Sequence, residues 1–497
     1  MSWEPGTPNT GSVLATMSDA SVRVLWQQTA DVFDQQEDFM GQFEGNSMTN
    51  PVALLEQMGG KEGLKFRITS RGGYYNVGKS GEDLFLDEDD FAREVINNNE
   101  VTADFLRNAA SASDRTDEFM GMRNEIASGQ AAELGKWMGR ERTARALMTF
   151  RELGGTENLF YAGDKTSEAN LVAADGLSYD ELVKMGQALK PMGGTPAEVA
   201  TINGNPVYKY LVVGTVPGLY SLRTDSDYKQ ILRETINGPR YDENPMLRGG
   251  YVDIEGHRIH EFNPIRADGY GWSGSAMNPV AYLGTAIAAG TAALSVTGGG
   301  SAAAAAVNNI EFFRFFSGHD FEFTPASKVT AATTTQYFLI INPRGATTVA
   351  NPYPGKIGMY SYTTGNTGKV IGTVTRLTSV QNGPYALNTV GSVTYNGGVW
   401  SGLHTEVHPI GSTIVQCNAK GQPIGDTLML GSAALLRGYG SERNKREQWR
   451  VDAFVTRKYI MGIFGQALRK NVNGQYPGYV RLRHAVAYPE LGLPTVV

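Results

Sequence analysis

One cysteine, Cys417, stands in 497 residues. A single thiol excludes an intrachain disulfide framework and any multi-thiolate zinc site, and it suits a chain made for a reducing compartment or one needing no covalent staples. Catalytic signatures are missing too. No Gly-x-Ser-x-Gly elbow occurs, and Gly365-Asn366-Thr367-Gly368-Lys369-Val370 lacks the spacing and the hydroxyl residue of a phosphate loop, so it reads as a hairpin tip. His257, His260 and Glu261 do not follow a zincin order, and on a strand residues 257 and 260 point to opposite faces. His404 and His408, with Glu406 between them, would share a strand face but need a third donor to hold a metal. The carboxylates of 82–90 form a solvated block with no apolar pocket to raise a carboxyl pKa. The expectation is a protein that is not an enzyme and uses no cofactor and no metal.

Charge of one sign is also lacking. The net charge is -6 with basic residues scattered, so no stripe or tail suits a protein that reads nucleic-acid sequence directly. Residues 270–309 carry no charge and 285–307 are largely alanine, yet Gly298-Gly299-Gly300 interrupts them and small residues partition weakly into hydrocarbon. No membrane span is expected. Residues 1–6 have neither a basic nor an apolar signal region, so the expectation is synthesis in the cytosol without a signal peptide.

What the chain has in quantity is glycine, 60 residues, and the length for two to four domains. Its longest helical pattern covers 116–153. Phe119, Met122, Ile126, Leu134, Trp137, Met138, Leu147 and Met148 recur mostly at three- and four-residue steps, with Arg123, Glu133, Lys136, Arg140, Glu141 and Arg145 between them. Asp114 or Thr116 can cap the start, and Gly154-Gly155 ends it. At about 1.5 Å per residue such a helix exceeds about 50 Å, longer than an ordinary core needs.

The other elements follow in order. A Gly/Thr/Ser/Pro-rich arm (1–16) leads into a helix over 20–43, and a short helix is predicted over 52–58. Strands at 64–69 and 101–107 enclose a glycine-rich, acidic stretch, which reads as a long charged hairpin. A helix at 179–189 stops before Pro191, a strand at 207–213 leads into short helices, and 251–262 reads as a hairpin turning at Glu255-Gly256. Residues 266–426, poor in charge, read as an all-β insertion with strands at 337–341, 369–380, 392–395 and 413–416. Helical character is predicted to resume at 427–439, followed by strands at 448–454 and 479–488.

This order of parts resembles the Hong Kong 97-like major capsid proteins of tailed bacteriophages, and several stretches are similar to the coliphage N-four family. They are Leu64-Lys65-Phe66-Arg67 with Arg71-Gly72-Gly73, Asp104-Phe105-Leu106-Arg107-Asn108-Ala109, Leu211-Val212-Val213-Gly214-Thr215-Val216-Pro217 with Leu222-Arg223-Thr224-Asp225, Asn244-Pro245-Met246-Leu247-Arg248-Gly249-Gly250 with Gly256-His257-Arg258-Ile259-His260-Glu261, and Leu428-Met429-Leu430-Gly431-Ser432-Ala433-Ala434. The chain departs from that family at 266–426, which is far longer than the usual link.

The resemblance implies an α+β, Hong Kong 97-like capsid fold with five parts: an N-terminal arm and helix (1–60), an extended loop (61–113), a peripheral domain with a long spine helix (114–195 and 441–497), an axial domain (196–265 and 427–440) and the β-rich insertion (266–426). It implies self-assembly as pentamers and hexamers into an icosahedral virion shell around double-stranded DNA held non-specifically. Portal and scaffold or decoration proteins would be partners, with assembly in the host bacterial cytoplasm. Expected inter-subunit residues are Arg71, Tyr74, Tyr75, Glu82, Asp83, Asp87, Glu88, Asp89 and Asp90 on the loop, and Arg140, Arg142 and Arg145 on the charged face of the spine. The spine's apolar face is expected on the closing strand at 479–488. The alternative is a phage or cell-surface carbohydrate-binding protein with the β-rich segment as its binding module.

Overall fold

A computed structural model of the chain describes residues 19–58, 65–71, 96–113, 123–152, 156–202, 205–236, 256–262, 280–282, 293–296, 335–341, 357–364, 372–376, 392–395, 398–401, 413–418, 422–440, 448–452 and 455–486. The helices are α1 (Asp19–Glu37), α2 (Arg123–Glu152), α3 (Tyr179–Leu189), α4 (Val216–Thr224) and α5 (Ser226–Ile236). The first strands are β1 (Glu44–Gly45), β2 (Val52–Met58), β3 (Lys65–Arg71), β4 (Ile96–Ser113), β5 (Leu159–Tyr161), β6 (Ala197–Ile202), β7 (Asn205–Thr215) and β8 (His257–Phe262). Those of the β-rich segment are β9 (Val280–Tyr282), β10 (Ala293–Val296), β11 (Thr335–Ile341), β12 (Ile357–Thr364), β13 (Gly372–Arg376), β14 (Ser392–Tyr395), β15 (Gly398–Ser401) and β16 (Thr413–Cys417). The chain closes with β17 (Ile424–Leu430), β18 (Leu435–Gly440), β19 (Gln448–Asp452), β20 (Val455–Leu468) and β21 (Tyr479–Ala485). The fold is α+β, in two compact units: 1–146 with 432–477, and 147–431 with 478–497.

In the first unit the sheet runs β1-β2-β18-β20-β4-β3, with β19 beside β20. β4 alternates as a half-buried strand should: Asn99, Val101 and Ala103 are buried while Asn98, Glu100 and Thr102 are exposed. α1 and α2 cover the sheet through Ala30, Leu134 and Met138, which pack with Leu106, Tyr439, Ile460 and Phe464. α2 carries glycines at 135 and 139, four residues apart and so on one face. A Cβ on Gly135 would meet the Ala30 carbonyl oxygen at 2.3 Å, and one on Gly139 the Asp34 carbonyl oxygen at 2.5 Å. Only hydrogen at both positions lets α1 lie this close.

The second unit has the sheet β5-β21-β17-β7-β6, with β8 also on β7. α3 begins at Ser178, whose hydroxyl accepts from the Glu181 N–H at 3.4 Å, and buries Leu182, Met185 and Leu189. α4 is capped by Thr215 Oγ1, which accepts from the Gly218 N–H at 3.3 Å, with Pro217 in its first turn. Val212, Met429, Val480 and Leu482 form the sheet's part of the core under these helices. Within 266–426 an antiparallel sheet runs β10-β13-β12-β11-β16-β9, with β14 and β15 as a separate hairpin. β9, β10, β12 and β15 are additions to the strands the sequence predicts there.

Two expectations are corrected. The segment 52–58 is a strand, paired parallel to β18 with Val52 opposite Leu435, and not a helix. The segment 427–439 is the end of β17 and most of β18, two strands broken by a turn in which Ala433 takes a φ of 47°. Both are continuous apolar runs whose period does not distinguish buried strand from buried helix, and pairing decides. β8 pairs parallel to β7, so α4 and α5 lie within a crossover connection. The first half of the expected hairpin, 251–255, lies outside the described residues.

The grouping of segments also differs from expectation. β21 is in the sheet of β17 and β7, so the expected 441–497 piece divides before Gly478, and β18 sits with β2 and β20. The spine's apolar residues Leu134 and Met138 accordingly meet α1, β4 and β20 and not the closing strand. Only the last turn of α2 meets β21, where the Phe150 and Tyr479 rings are 5.0 Å apart and the Tyr479 hydroxyl donates to the Phe150 carbonyl at 3.4 Å.

Candidate assembly surfaces

β4 has two successive partners. From Ala103 to Ser113 it pairs antiparallel with β20, and from Ile96 to Thr102 it pairs with β3 on its other edge. The 96–102 stretch is therefore half of a two-stranded ribbon running out of the first unit's sheet. Ile96 is 52 % exposed, and the Arg67–Glu100 pair at 3.5 Å lies on the ribbon's surface. Arg71 ends β3 opposite Ile96. Tyr74, Tyr75, Glu82, Asp83, Asp87, Glu88, Asp89 and Asp90 lie beyond it in 72–95, outside the described residues.

The spine arginines are placed differently from the expectation. Arg142 is buried and its Nη1 lies 2.6 Å from Asp34 Oδ2 on α1. Arg145 is buried with its Nε 2.8 Å from Glu141 Oε1, one turn back. Arg140 forms a two-point pair with Glu37, Nε to Oε2 at 3.0 Å and Nη2 to Oε1 at 3.2 Å, and keeps 19 % of its side chain exposed. Arg142 and Arg145 thus take partners within the chain. For Arg140 and Arg142 the physical reason is α1, whose Asp34 and Glu37 lie one turn apart on a face toward α2.

The same cluster holds residues no local pattern singles out. Arg437 on β18 donates from Nη1 to Asp38 Oδ2 at 2.8 Å and from Nη2 to Oδ1 at 3.3 Å, while Thr143 donates to Oδ1 at 3.0 Å. The Arg142 guanidinium stacks over Tyr439 at 5.1 Å and over Phe464 at 5.7 Å. Burial works to raise the Asp38 pKa, but Arg437 and Arg142 outweigh it and hold the carboxyl below its ordinary value. Burial pushes the Tyr439 phenol up to about 12.

A second buried cluster lies in the second unit. Arg483 on β21 donates from Nε and Nη2 to the two Asp426 oxygens at 2.7 and 3.1 Å, and also to Glu168. Next to it, His484 is fully buried between Thr427 Oγ1 and the Ala485 carbonyl, each at 2.9 Å. Burial lowers its pKa. His257 is buried and stacked on Tyr210 with ring centroids 5.8 Å apart, a core role. Among the described residues no three His, Cys, Asp or Glu side chains gather where they could hold a metal, and no helix is long and apolar enough to cross a membrane. His404 and His408 lie outside the described residues. Cys417 is buried, which pushes its thiol pKa well up.

No family model matches the chain, and no curated protein matches it. Among solved structures it is similar to the capsid of Ralstonia phage GP4, at 13% identity over 91% of each chain with a TM-score of 0.48. It is also similar to the acidic stable capsid of Helicobacter pylori bacteriophage KHP30, at 12% identity over 90% of each chain with a TM-score of 0.48. A third is the capsid asymmetric unit of cyanophage Pam1, at 10% identity over 91% of this chain and 93% of that one, with a TM-score of 0.46.

Proposed function

We propose that the chain is a major capsid protein of a tailed bacteriophage, which self-assembles into an icosahedral shell enclosing double-stranded DNA. The observation that carries this is the β3–β4 ribbon. It leaves the sheet of its own unit with one face exposed, at Asn98, Glu100 and Thr102, and the 72–95 segment that joins its strands is rich in acidic residues. Val101 and Ile68 pack the ribbon's base on its own unit, but the acidic, apolar-poor 72–95 sequence supplies no core of its own, so its stability has to come from other surfaces. In a closed symmetric shell those surfaces are copies of the same chain. Among the described residues the buried charges join elements, Asp34 and Asp38 to Arg142 and Arg437 and Asp426 to Arg483, which suits a structural role.

The first unit, with the ribbon and the spine α2, corresponds in this reading to the arm, extended loop and peripheral parts of a Hong Kong 97-like subunit. The second unit supplies the axial part and carries the β-rich segment as an elaboration. Contacts between copies run through Arg71, Tyr74, Tyr75 and the carboxylates of 82–90. Of Arg140, Arg142 and Arg145, Arg140 keeps part of its side chain exposed and is the one left to receive them. Copies associate as pentamers and hexamers in a virion assembled in the host cytoplasm, with the portal and scaffold or decoration proteins as partners. DNA contact is non-specific, since counterions can neutralise most phosphates and a net charge of -6 is no obstacle. The stretches similar to the coliphage N-four family support a capsid protein of that type.

Electron microscopy of the purified protein tests this. Closed particles of uniform diameter are expected from the full chain, and folded, unassembled subunits from a chain lacking 72–98. Normal shells from that deletion would sink the assignment.

A further inference from the structure

Three consecutive asparagines, Asn97, Asn98 and Asn99, lie at the root of the ribbon, just beyond the point where β4 parts from β20. At its base the ribbon packs on the first unit through Val101 and Ile68, which join Ala53, Leu55 and Leu436, but two strands beyond that contact should still swing unless something holds them. Here it is gripped. Asn99 is 4 % exposed, and its side-chain amide makes two hydrogen bonds to one residue: Oδ1 accepts from the Lys470 N–H at 2.7 Å and Nδ2 donates to the Lys470 carbonyl at 3.2 Å. That is the pair of bonds one strand residue offers another, supplied by a side chain. Asn97 Nδ2 donates to the next carbonyl, Asn471, at 2.7 Å.

Side-chain alternation puts Asn97 and Asn99 on one face of the ribbon and Asn98 on the other, where its Oδ1 accepts from Thr69 Oγ1 at 3.2 Å on β3. The two outer asparagines therefore hold the body and the middle one holds the hairpin together. The turn they grip is itself braced. Asn471 Oδ1 accepts from the N–H groups of Asn473 and Gln475, both at 2.9 Å, the Asn471 N–H reaches the Gln475 carbonyl at 2.8 Å, and Gly474 sits at a φ of 82°. Gripping main chain takes a donor and an acceptor together, which Asn supplies and an apolar side chain does not.

We propose that Asn97 and Asn99 form a clasp on the 470–475 turn that fixes the direction in which the β3–β4 arm leaves the first unit. The clasp deepens the capsid reading and rests on it for its purpose: an arm held in its docking direction gives up less freedom when a neighbouring copy receives it.

The test is a distance measurement by electron–electron double resonance on the unassembled full chain, spin-labelled at Arg67→Cys on the ribbon and Glu133→Cys on α2, both exposed. The parent should give one narrow distance, the Asn97→Ala/Asn99→Ala variant a distribution at least about twofold wider, as for an unsupported ribbon, and Asn98→Ala the parent's width. Asn99→Asp keeps the acceptor for Lys470 N–H and loses the donor, so it should fall between, and it replaces the alanine pair if that pair does not fold. A broad parent distribution, or parent-like width in the clasp variant used, overturns the proposal. Micrographs of the parent without closed shells would instead remove the capsid reading and leave the clasp standing.

Discussion

The two units each bury arginines against aspartates, but the pairs join different things. In the second unit Asp426 and Arg483 face each other across two strands already laddered along their whole length, β17 on β21. In the first unit Asp34 and Asp38 come from the end of α1 and just beyond it, Arg142 from α2 and Arg437 from β18, and no ladder links these elements. A buried ion pair adds little net stability against an apolar equivalent, yet removing one partner strands the other charge. The lesson is that similar chemistry locks an element in one unit and trims an existing contact in the other.

The largest expected effect breaks the first cluster. Asp38→Ala leaves Arg437 buried without its carboxylate and should cost about 3–5 kcal/mol in chemical denaturation of the unassembled subunit. Asp38→Leu with Arg437→Met should recover most of that loss, and no recovery would mean that the charges do more than pair. In the second unit Asp426→Asn should cost about 1.5–3 kcal/mol, because the ladder persists and Arg483 keeps Glu168. An equal or larger loss than for Asp38→Ala would end the contrast. Gly135→Ala drives a Cβ at the Ala30 carbonyl and should cost about 1–3 kcal/mol, read as a lowered thermal midpoint.

The smallest effect is in acid, and it separates the units. His484 has its folded pKa lowered by burial, so it is neutral in both states above its ordinary 6.5. As pH falls below that value the unfolded chain takes a proton that the folded one refuses, and stability declines. The facing groups are Thr427, the Ala485 carbonyl, Asp426 and Arg483. Asp38 has a folded pKa below its ordinary 3.8, so its contribution stays whole until pH drops under that value and is lost beneath it. Denaturation midpoints of His484→Gln against the parent should converge as pH falls from 6.5 toward 4, and a constant difference would refute the assignment.

How much of this was legible in the sequence follows from how local each signal is. α2 and α3 were readable because their apolar residues keep the helical period within one segment, and Ser178 and Pro191 bracket α3. Val52–Met58 and 427–439 were misread because a run buried on every side has no period. The spine arginines looked solvated because their neighbours on α2 are charged, and while Arg145 pairs with Glu141 one turn back, the partners of Arg140 and Arg142 stand more than a hundred residues earlier on α1. Asp34 and Glu37 lie one turn apart on α1, but spacing alone names no partner across that distance. Asn97 and Asn99 fell in the stretch between the expected strands at 64–69 and 101–107 and carried no signal of their own, since their hydrogen-bond partners lie some 370 positions on.

β4 is a single unbroken strand across the point where its partner changes, and this has a mechanical consequence. A tug on the ribbon along the strand axis reaches the β4–β20 ladder as shear, loading the pairs from Ala103–Gly465 to Ser113–Val455 together. A tug across the axis would peel them one at a time, beginning at Gly465, where β20 lies so close that a Cβ would meet the Thr102 carbonyl at 2.6 Å. The arm is therefore stiff to tension along its length and compliant to peeling, a directional spring built from one strand.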